Sequence, residues 1–374
     1  MDFAFSKEQE LLRDGLAKFL ATRYDLETSR AAAKTGPGWQ PEIWRSFAEE
    51  LGILGAALLE EVGGIGGGPV EVMLIAEELG HALAVEPYVD TAVVAAGLLQ
   101  RSESPAAQSV LEEIAYGTAI VALAAAEAQS GDRWQDVQTT ATRDGDDWVV
   151  TGSKIMAVNA PLATHLLITA RTANGISLFL AARAESQGGL AMHGYRTVDD
   201  RRAADLELRE LRLPGNALLG VEGQAWPSLA QARDEGAAAV CAEAVGNMRK
   251  VLADTVEYAK QRQQFGQPIG TFQALQHRMV DMHMELEQSI SAVYLAVLNL
   301  SADPHTRARS VSAAKATVGR AARFIGQNAV QLHGGMGMTE ELAIGHYFKR
   351  LTAVQYEYGS TDYHVTRYAK LTRG

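Results

Sequence analysis

The chain has a single cysteine, Cys241, among 374 residues, so no disulfide can form within it. That usage fits a reducing compartment, and the cytoplasm is the expected location. Positive charge is also scarce. Lys and Arg number 34 against 45 Asp and Glu, a formal net charge of −11. A nucleic-acid binder of the basic-patch type is therefore not expected. An anionic small ligand is not excluded, because local basic groups decide that. No apolar run approaches the roughly 18 residues of a membrane-crossing helix, since charges interrupt the alanine-rich stretches. Met1 to Glu8 shows neither a basic n-region nor an apolar h-region, so no signal peptide is expected. Metal-ligand spacing is missing as well. His277 and His283 lie off the i, i+4 spacing and read as surface or core histidines. There is no G-x-S-x-G elbow.

What remains is ordinary globular material, 47% hydrophobic and 21% charged, enough for two or three domains. Residues 1–118 read as an N-terminal helical domain. Ser6 and Gln9 make a plausible capping box, followed by Leu11, Leu12, Leu16, Phe19 and Leu20 at helical spacing. Pro41 to Leu54 and Val70 to Leu83 repeat the pattern. The run Gly63-Gly64-Ile65-Gly66-Gly67-Gly68 follows a helix and ends in Pro69, so it reads as a flexible connector rather than a phosphate cradle. Residues 119–218 carry short strands without intervening helices. Thr139–Thr142 and Trp148–Thr151 flank a turn at Arg143–Asp147, and Leu166–Thr169, Ile176–Leu180 and Ala204–Leu208 follow. A small antiparallel barrel or sandwich is expected. Residues 219–374 return to long helices, at Ala225–Arg262, Thr271–Leu300 and Thr306–Leu332, as in a four-helix bundle. The fold class is thus mainly α with a central β-barrel.

Two stretches say more than periodicity does. Tyr258-Ala259-Lys260-Gln261-Arg262-Gln263-Gln264-Phe265-Gly266-Gln267-Pro268-Ile269-Gly270 is one, and Gln331-Leu332-His333-Gly334-Gly335-Met336-Gly337-Met338 is the other. Together they resemble the acyl-CoA dehydrogenase family, whose domain order is the one just described. Phe272–Arg278, Gly345–Arg350 and His364–Arg367 carry a closer likeness to the small subunits of two-component bacterial members such as pimeloyl-CoA dehydrogenase. The resemblance implies FAD as cofactor, an acyl-CoA substrate of fatty-acid or steroid side-chain β-oxidation, and an electron-accepting flavoprotein. It implies that Arg262, Gln264 and Phe265 reach a neighbouring subunit's flavin, that Gln331, Gly334 and Gly335 serve the neighbour's adenosine diphosphate, and that Ser360 and Asp362 in the C-terminal loop are cofactor-binding as well. The chemistry agrees: a guanidinium is a fixed fork of donors suited to phosphate, and glycines let the backbone approach a ligand.

The family's reaction needs a carboxylate to remove the α proton of the thioester while the β hydride passes to the flavin. By resemblance that base stands directly before Gly359, where this chain has Tyr358, a poor base at neutral pH. The alternative position on the first long C-terminal helix is Gly236. Glu357 and Glu235 each lie one residue away and are weak candidates. A one-residue slip on a helix turns a side chain by about 100°, which counts against Glu235. Met156 and Val158 replace the tryptophan and threonine that flank the flavin ring in relatives. In Leu123–Glu127 the usual threonine before the glutamate is missing. Gly236 and Ala237 remove bulk where the substrate is normally faced, which permits a bulky acyl group such as a ring or dicarboxylate.

The losses fall on groups serving the chain's own site, whereas those serving a neighbour's flavin persist. A base-deficient subunit of a heterotetramer, completing the FAD site of a homologous base-bearing partner, is the expectation. A self-sufficient homotetramer using Glu357, a non-catalytic scaffold subunit and a flavin-dependent oxygenase on the same fold are the alternatives. His364 reads as a structural hydrogen-bonder.

Overall fold

Ser6 starts the first helix as its spacing to Gln9 predicts. Its Oγ accepts from the Gln9 N–H at 3.2 Å, and the Ser6 N–H donates back to Gln9 Oε1 at 2.9 Å. In this computed structural model, which describes residues 4–184, 186 and 188–373, α1 (Lys7–Arg23), α2 (Leu26–Thr35), α3 (Pro41–Glu49), α4 (Pro69–His81), α5 (Ala96–Gln100) and α6 (Pro105–Ala115) come first. Met1 to Phe3, on which part of the leader reading falls, lie outside the described residues. The strands are β1 (Val121–Ala124), β2 (Thr140–Asp144), β3 (Asp147–Val158), β4 (His165–Thr172), β5 (Gly175–Ala182), β6 (Leu190–Arg196), β7 (Arg202–Leu213) and β8 (Leu218–Leu219). Then come α7 (Trp226–Gln261), the short β9 (Gln263–Gln264) and β10 (Gln267–Pro268), α8 (Gln273–Leu298), α9 (Pro304–His333), α10 (Ala343–Val354) and α11 (Thr361–Arg373). Helices precede and follow a β domain, as expected. Among the described residues no helix is long and apolar enough to cross a membrane.

Two compact units result. One takes residues 29–68 and 85–236 and holds the main sheet, of order β6-β7-β3-β2-β4-β5-β8, with β1 beside β4. The predicted hairpin is β2–β3, with Asp144 opposite Asp147. Most pairings are antiparallel, but β1 and β2 each run parallel to β4. Sequence pattern does not reveal this, because parallel and antiparallel strands share the same two-residue period. The glycine run 63–68 belongs to this unit and is not a loose connector. Its backbone N–H groups are spent inside the protein: Gly64 donates to Leu59 O, Ile65 to Gly55 O, Gly66 to Leu58 O and Gly67 to Ala56 O. Donors so committed cannot cradle a phosphate.

The other unit takes residues 1–28, 69–84 and 237–374. Here α9 packs against α8, α10 and α11, and α1 against α4. The buried face of α9 is built largely of small residues, including Ala308, Ala314, Ala321, Ala322 and Ala329, with Val311, Val318 and Ile325 between them. Such a face lets neighbouring helices approach closely, and its apolar area is the main source of stability.

Candidate active site and flavin-facing surface

The two motif stretches meet in space at one end of the helical unit. Tyr258 near the end of α7 stacks on His333 at the end of α9, ring centres 4.2 Å apart. From there the chain turns through β9 and β10, a two-residue hairpin in which Gln264 pairs with Gln267. Its tip, Phe265 and Gly266, has φ of +56° and +80°. Positive φ at both central residues is the geometry of a hairpin turn that favours glycine, which explains Gly266. For phenylalanine the same conformation is unfavourable, yet Phe265 holds it with its side chain 90% exposed. Arg262, Gln264, Gln331, Gly334 and Gly335 are exposed on the same end, and Gly334 closes α9 at φ +61°. Among the described residues no carboxylate pairs with the Arg262 guanidinium. An exposed guanidinium and an exposed aromatic ring are the kinds of group that suit a phosphate-bearing, planar ligand.

The loop after α10 is organised in the opposite sense. Arg350 is only 2% exposed and lies between two carboxylates. Its Nε and one terminal nitrogen hold Glu243 at 2.6 and 3.0 Å, and its terminal nitrogens hold both oxygens of Glu357, one at 2.9 Å. Glu357 is thus fixed in a bidentate pair, and its orientation is set by that arginine. Glu235 is held the same way: both oxygens accept from Arg101, at 2.9 and 3.1 Å, and one also accepts from Gln231 at 2.9 Å. Neither candidate base stands ready.

Between these anchors Tyr358 adopts φ +55° and Gly359 φ +110°. A non-glycine residue there costs on the order of 1 kcal/mol, so the surroundings must impose the conformation. They do. The fully buried Lys315 donates to Val354 O at 2.9 Å and to Gly359 O at 3.1 Å. Val354 ends α10, where a cation is favoured by the helix dipole. His364 contacts Tyr358 O at 3.1 Å through Nε2 and Ser312 Oγ at 3.2 Å through Nδ1. A carbonyl can only accept, so Nε2 carries the proton and Nδ1 accepts from Ser312. His364 is structural, in line with the sequence expectation. Ser360 Oγ accepts from the Tyr363 N–H at 3.2 Å and so caps α11, while Asp362 is exposed in its first turn. The Tyr358 side chain packs against Ala237, Ala238, Ala296, Leu300, Val311 and Ala314.

In the β unit, Met156 sits in a bulge of β3, where its register against β7 shifts, at φ +51°. Its N–H donates to Asp205 Oδ1 at 3.0 Å, and the Tyr195 hydroxyl donates to the same oxygen at 2.9 Å. A carboxylate occupies the bulge's donor, and neither Met156 nor Val158 brings a hydroxyl. Nearby, Glu127 is buried in an ion pair with Lys154, 2.6 Å away, and also accepts from the Gln138 and Thr139 N–H groups. Burial pushes the Glu127 carboxyl up, but the Lys154 charge and the hydrogen bonds win and hold it at about 2. Burial pulls Lys154 down to about 8, partly offset by Glu127. This glutamate is a structural ion-pair partner.

Arg350, Glu243 and Lys315 escaped the sequence reading as active participants. Lys315 had a signal: a lone cation within Val311-Ser312-Ala313-Ala314-Lys315-Ala316, an otherwise uncharged stretch. His277 and His283 are exposed, and among the described residues no cluster could hold a metal.

Helices that precede and follow a β domain in the chain, with two glycine-bearing motifs meeting at the ends of α7 and α9, match a class of flavin-dependent dehydrogenases. The chain matches the N-terminal, middle and C-terminal domains of acyl-CoA dehydrogenase over residues 6–118, 122–211 and 223–371. It belongs to the acyl-CoA dehydrogenase family, whose members are FAD-dependent oxidoreductases acting on acyl-CoA. Among its relatives is a probable acyl-CoA dehydrogenase, YngJ, of Bacillus subtilis, 28% identical over 97% of both chains. Similar solved structures include the ChsE4-ChsE5 complex from Mycobacterium tuberculosis, 25% identical with a TM-score of 0.91, covering 100% of this chain and 99% of that one. A variant of the Tcur3481-Tcur3483 steroid ACAD is 27% identical with a TM-score of 0.89, covering 98% of both chains.

Proposed function

We propose that this chain is the base-deficient half of a heteromeric acyl-CoA dehydrogenase and completes the FAD site of a homologous, base-bearing partner. One contrast carries the reading. Glu357 and Glu235 are both locked in bidentate arginine pairs, while the guanidinium of Arg262 is exposed and, among the described residues, meets no carboxylate. The names of two similar structures each pair two chains, which supports it. In this arrangement FAD supplies the hydride acceptor. Arg262 neutralises phosphate charge, Gln264 and Phe265 border the flavin, and Gln331, Gly334 and Gly335 meet the adenosine diphosphate. Ser360 and Asp362 shape the adjoining loop. The partner holds the acyl-CoA thioester and supplies the carboxylate, and electrons leave to an electron-accepting flavoprotein. The working domains are residues 1–118, 119–218 and 219–374.

The test is to express the chain alone and together with a homologous chain that has a glutamate before the loop glycine, then count FAD per chain. The expected result is no flavin on the chain alone and one per pair in the complex. Full loading and turnover by the chain alone refutes the proposal and restores the self-sufficient homotetramer.

A further inference from the structure

A cavity of about 330 Å³ lies where residues 59–62, the end of α5 and the start of α6 meet. All of its lining belongs to the unit that holds the main sheet. We propose that this cavity binds a small organic ammonium ion with a short apolar body. Its floor is apolar: Val62, Leu99 and Leu111 are buried, and the exposed Leu59 forms a lip. A concave apolar lining of this size with a few polar groups is what holds small ligands in general. Two carboxylates, Glu61 and Glu103, line the same cavity, and among the described residues no cation pairs with either. None of the lining residues is Lys, Arg or His, so an anion meets no countercharge there. An apolar body gains by covering the floor, and a positive head gains charge-assisted hydrogen bonds at the rim.

The walls are fixed without a ligand. The Leu59 N–H donates to Gln100 Oε1 at 3.2 Å, which ties one wall to α5. The glycine run holds that wall from behind: Gly63 donates to Glu60 O and Gly64 to Leu59 O. A Cβ at Gly64 would strike the Leu58 carbonyl, so the fold-back requires glycine. Across the cavity Glu103 holds φ +50°, a conformation that glycine or asparagine adopts more readily. A glutamate kept in unfavourable backbone at the cavity edge points to a use for its carboxylate. The cavity is separate from the Arg101–Glu235 pair. Leu99 lies about 200° round the helix from Gly97, which abuts that pair. Nothing in this inference depends on the heteromer reading.

The experiment is a ligand-observed NMR titration of the full-length chain with phenethylammonium chloride, carried to about 10 mM because so small a ligand binds in the millimolar range. The neutral 2-phenylethanol and the anionic phenylacetate are titrated in parallel at matched ionic strength. Phenethylammonium is expected to saturate, with 2-phenylethanol about tenfold weaker, the effect of losing one charge-assisted hydrogen bond. Phenylacetate is expected not to saturate. In the Glu61→Gln, Glu103→Gln double variant the amine should bind about tenfold more weakly, no better than the alcohol. Both substitutions are on the rim, so the variant should fold as the wild-type chain does. The proposal is overturned if phenethylammonium shows no saturable binding, if the alcohol or phenylacetate binds as well, or if the double variant keeps the wild-type affinity for the amine.

Discussion

Two regions of the helical unit contain the same kinds of group and treat them in opposite ways. In the loop that follows α10, Glu357 is engaged by Arg350, the Tyr358 and Gly359 carbonyls by His364 and Lys315, and the Tyr358 side chain by a cluster of mostly alanine residues. At the tip of the β9–β10 hairpin and the end of α9, Arg262, Phe265 and Gln331 are left in solvent. Burial is what separates them. A charge removed from water must be paired, whereas an exposed one can wait for a ligand. The closed loop contributes to the fold's stability, and the open end is the surface to which the proposed function assigns the cofactor.

The strongest way to break this comparison is to remove the cation at the centre of the closed side. Arg350→Met removes the cation that Glu243 and Glu357 share, and breaking a buried ion pair costs about 3–5 kcal/mol. The midpoint of denaturant unfolding should fall accordingly, with the slope unchanged. Arg262→Met in the same assay should stay within about 0.5 kcal/mol, as exposed sites do. Equal losses in the two variants would erase the distinction.

Acid sharpens the same point in the β unit. Glu127 is held at about 2 in the fold, below the roughly 4.3 of an unfolded glutamate. A depressed carboxyl contributes stability that is fully present above the unfolded value and is lost as pH falls toward the folded one. Unfolding free energy should therefore drop between about pH 4.5 and pH 2, by about 1.4 kcal/mol for each pH unit that Glu127 alone accounts for. Glu127→Gln should flatten that limb of the curve and be less stable at neutral pH.

On the open side the expected change is in binding, not stability. Arg262→Gln keeps a polar side chain and loses the charge that would face phosphate in the proposed heteromer. FAD in the heteromer should dissociate about 10- to 100-fold more readily, equivalent to about 1.4–2.7 kcal/mol. Equilibrium dialysis against free FAD measures it, and unchanged retention would remove Arg262 from the partner's site.

These contrasts were unevenly legible in the sequence. The capping box at Ser6, the β2–β3 hairpin and the long helices rest on local spacing, and local spacing is what a sequence displays. The exposure of Arg262 and Gln331 was likewise readable, because polar side chains in a local motif stay in water unless a distant group pairs with them. The closed loop was not. Arg350 reaches Glu243 across 107 positions, and Lys315 reaches Gly359 across 44. Pairings of that kind are decided by tertiary packing. The glycine run 63–68 misled for a related reason: glycine signals conformational freedom, but the fold used it to commit backbone donors.

The smallest expected effect separates the readings most sharply. Glu357→Gln keeps an acceptor for Arg350 and gives up one charge-assisted bond, costing about 1–2 kcal/mol of stability. Glu235→Gln does the same beside Arg101. If both carboxylates are anchors, kcat per folded heteromer should change by less than about twofold in either variant. Removal of a true general base slows the reaction by roughly 10²–10⁴-fold, far outside that range. The two outcomes do not overlap, so a single rate comparison, normalised to folded protein, decides whether Glu357 belongs to the chemistry or to the architecture. A collapse of kcat confined to Glu357→Gln would mean that Arg350 releases its carboxylate during turnover, and the closed loop would then be the active one.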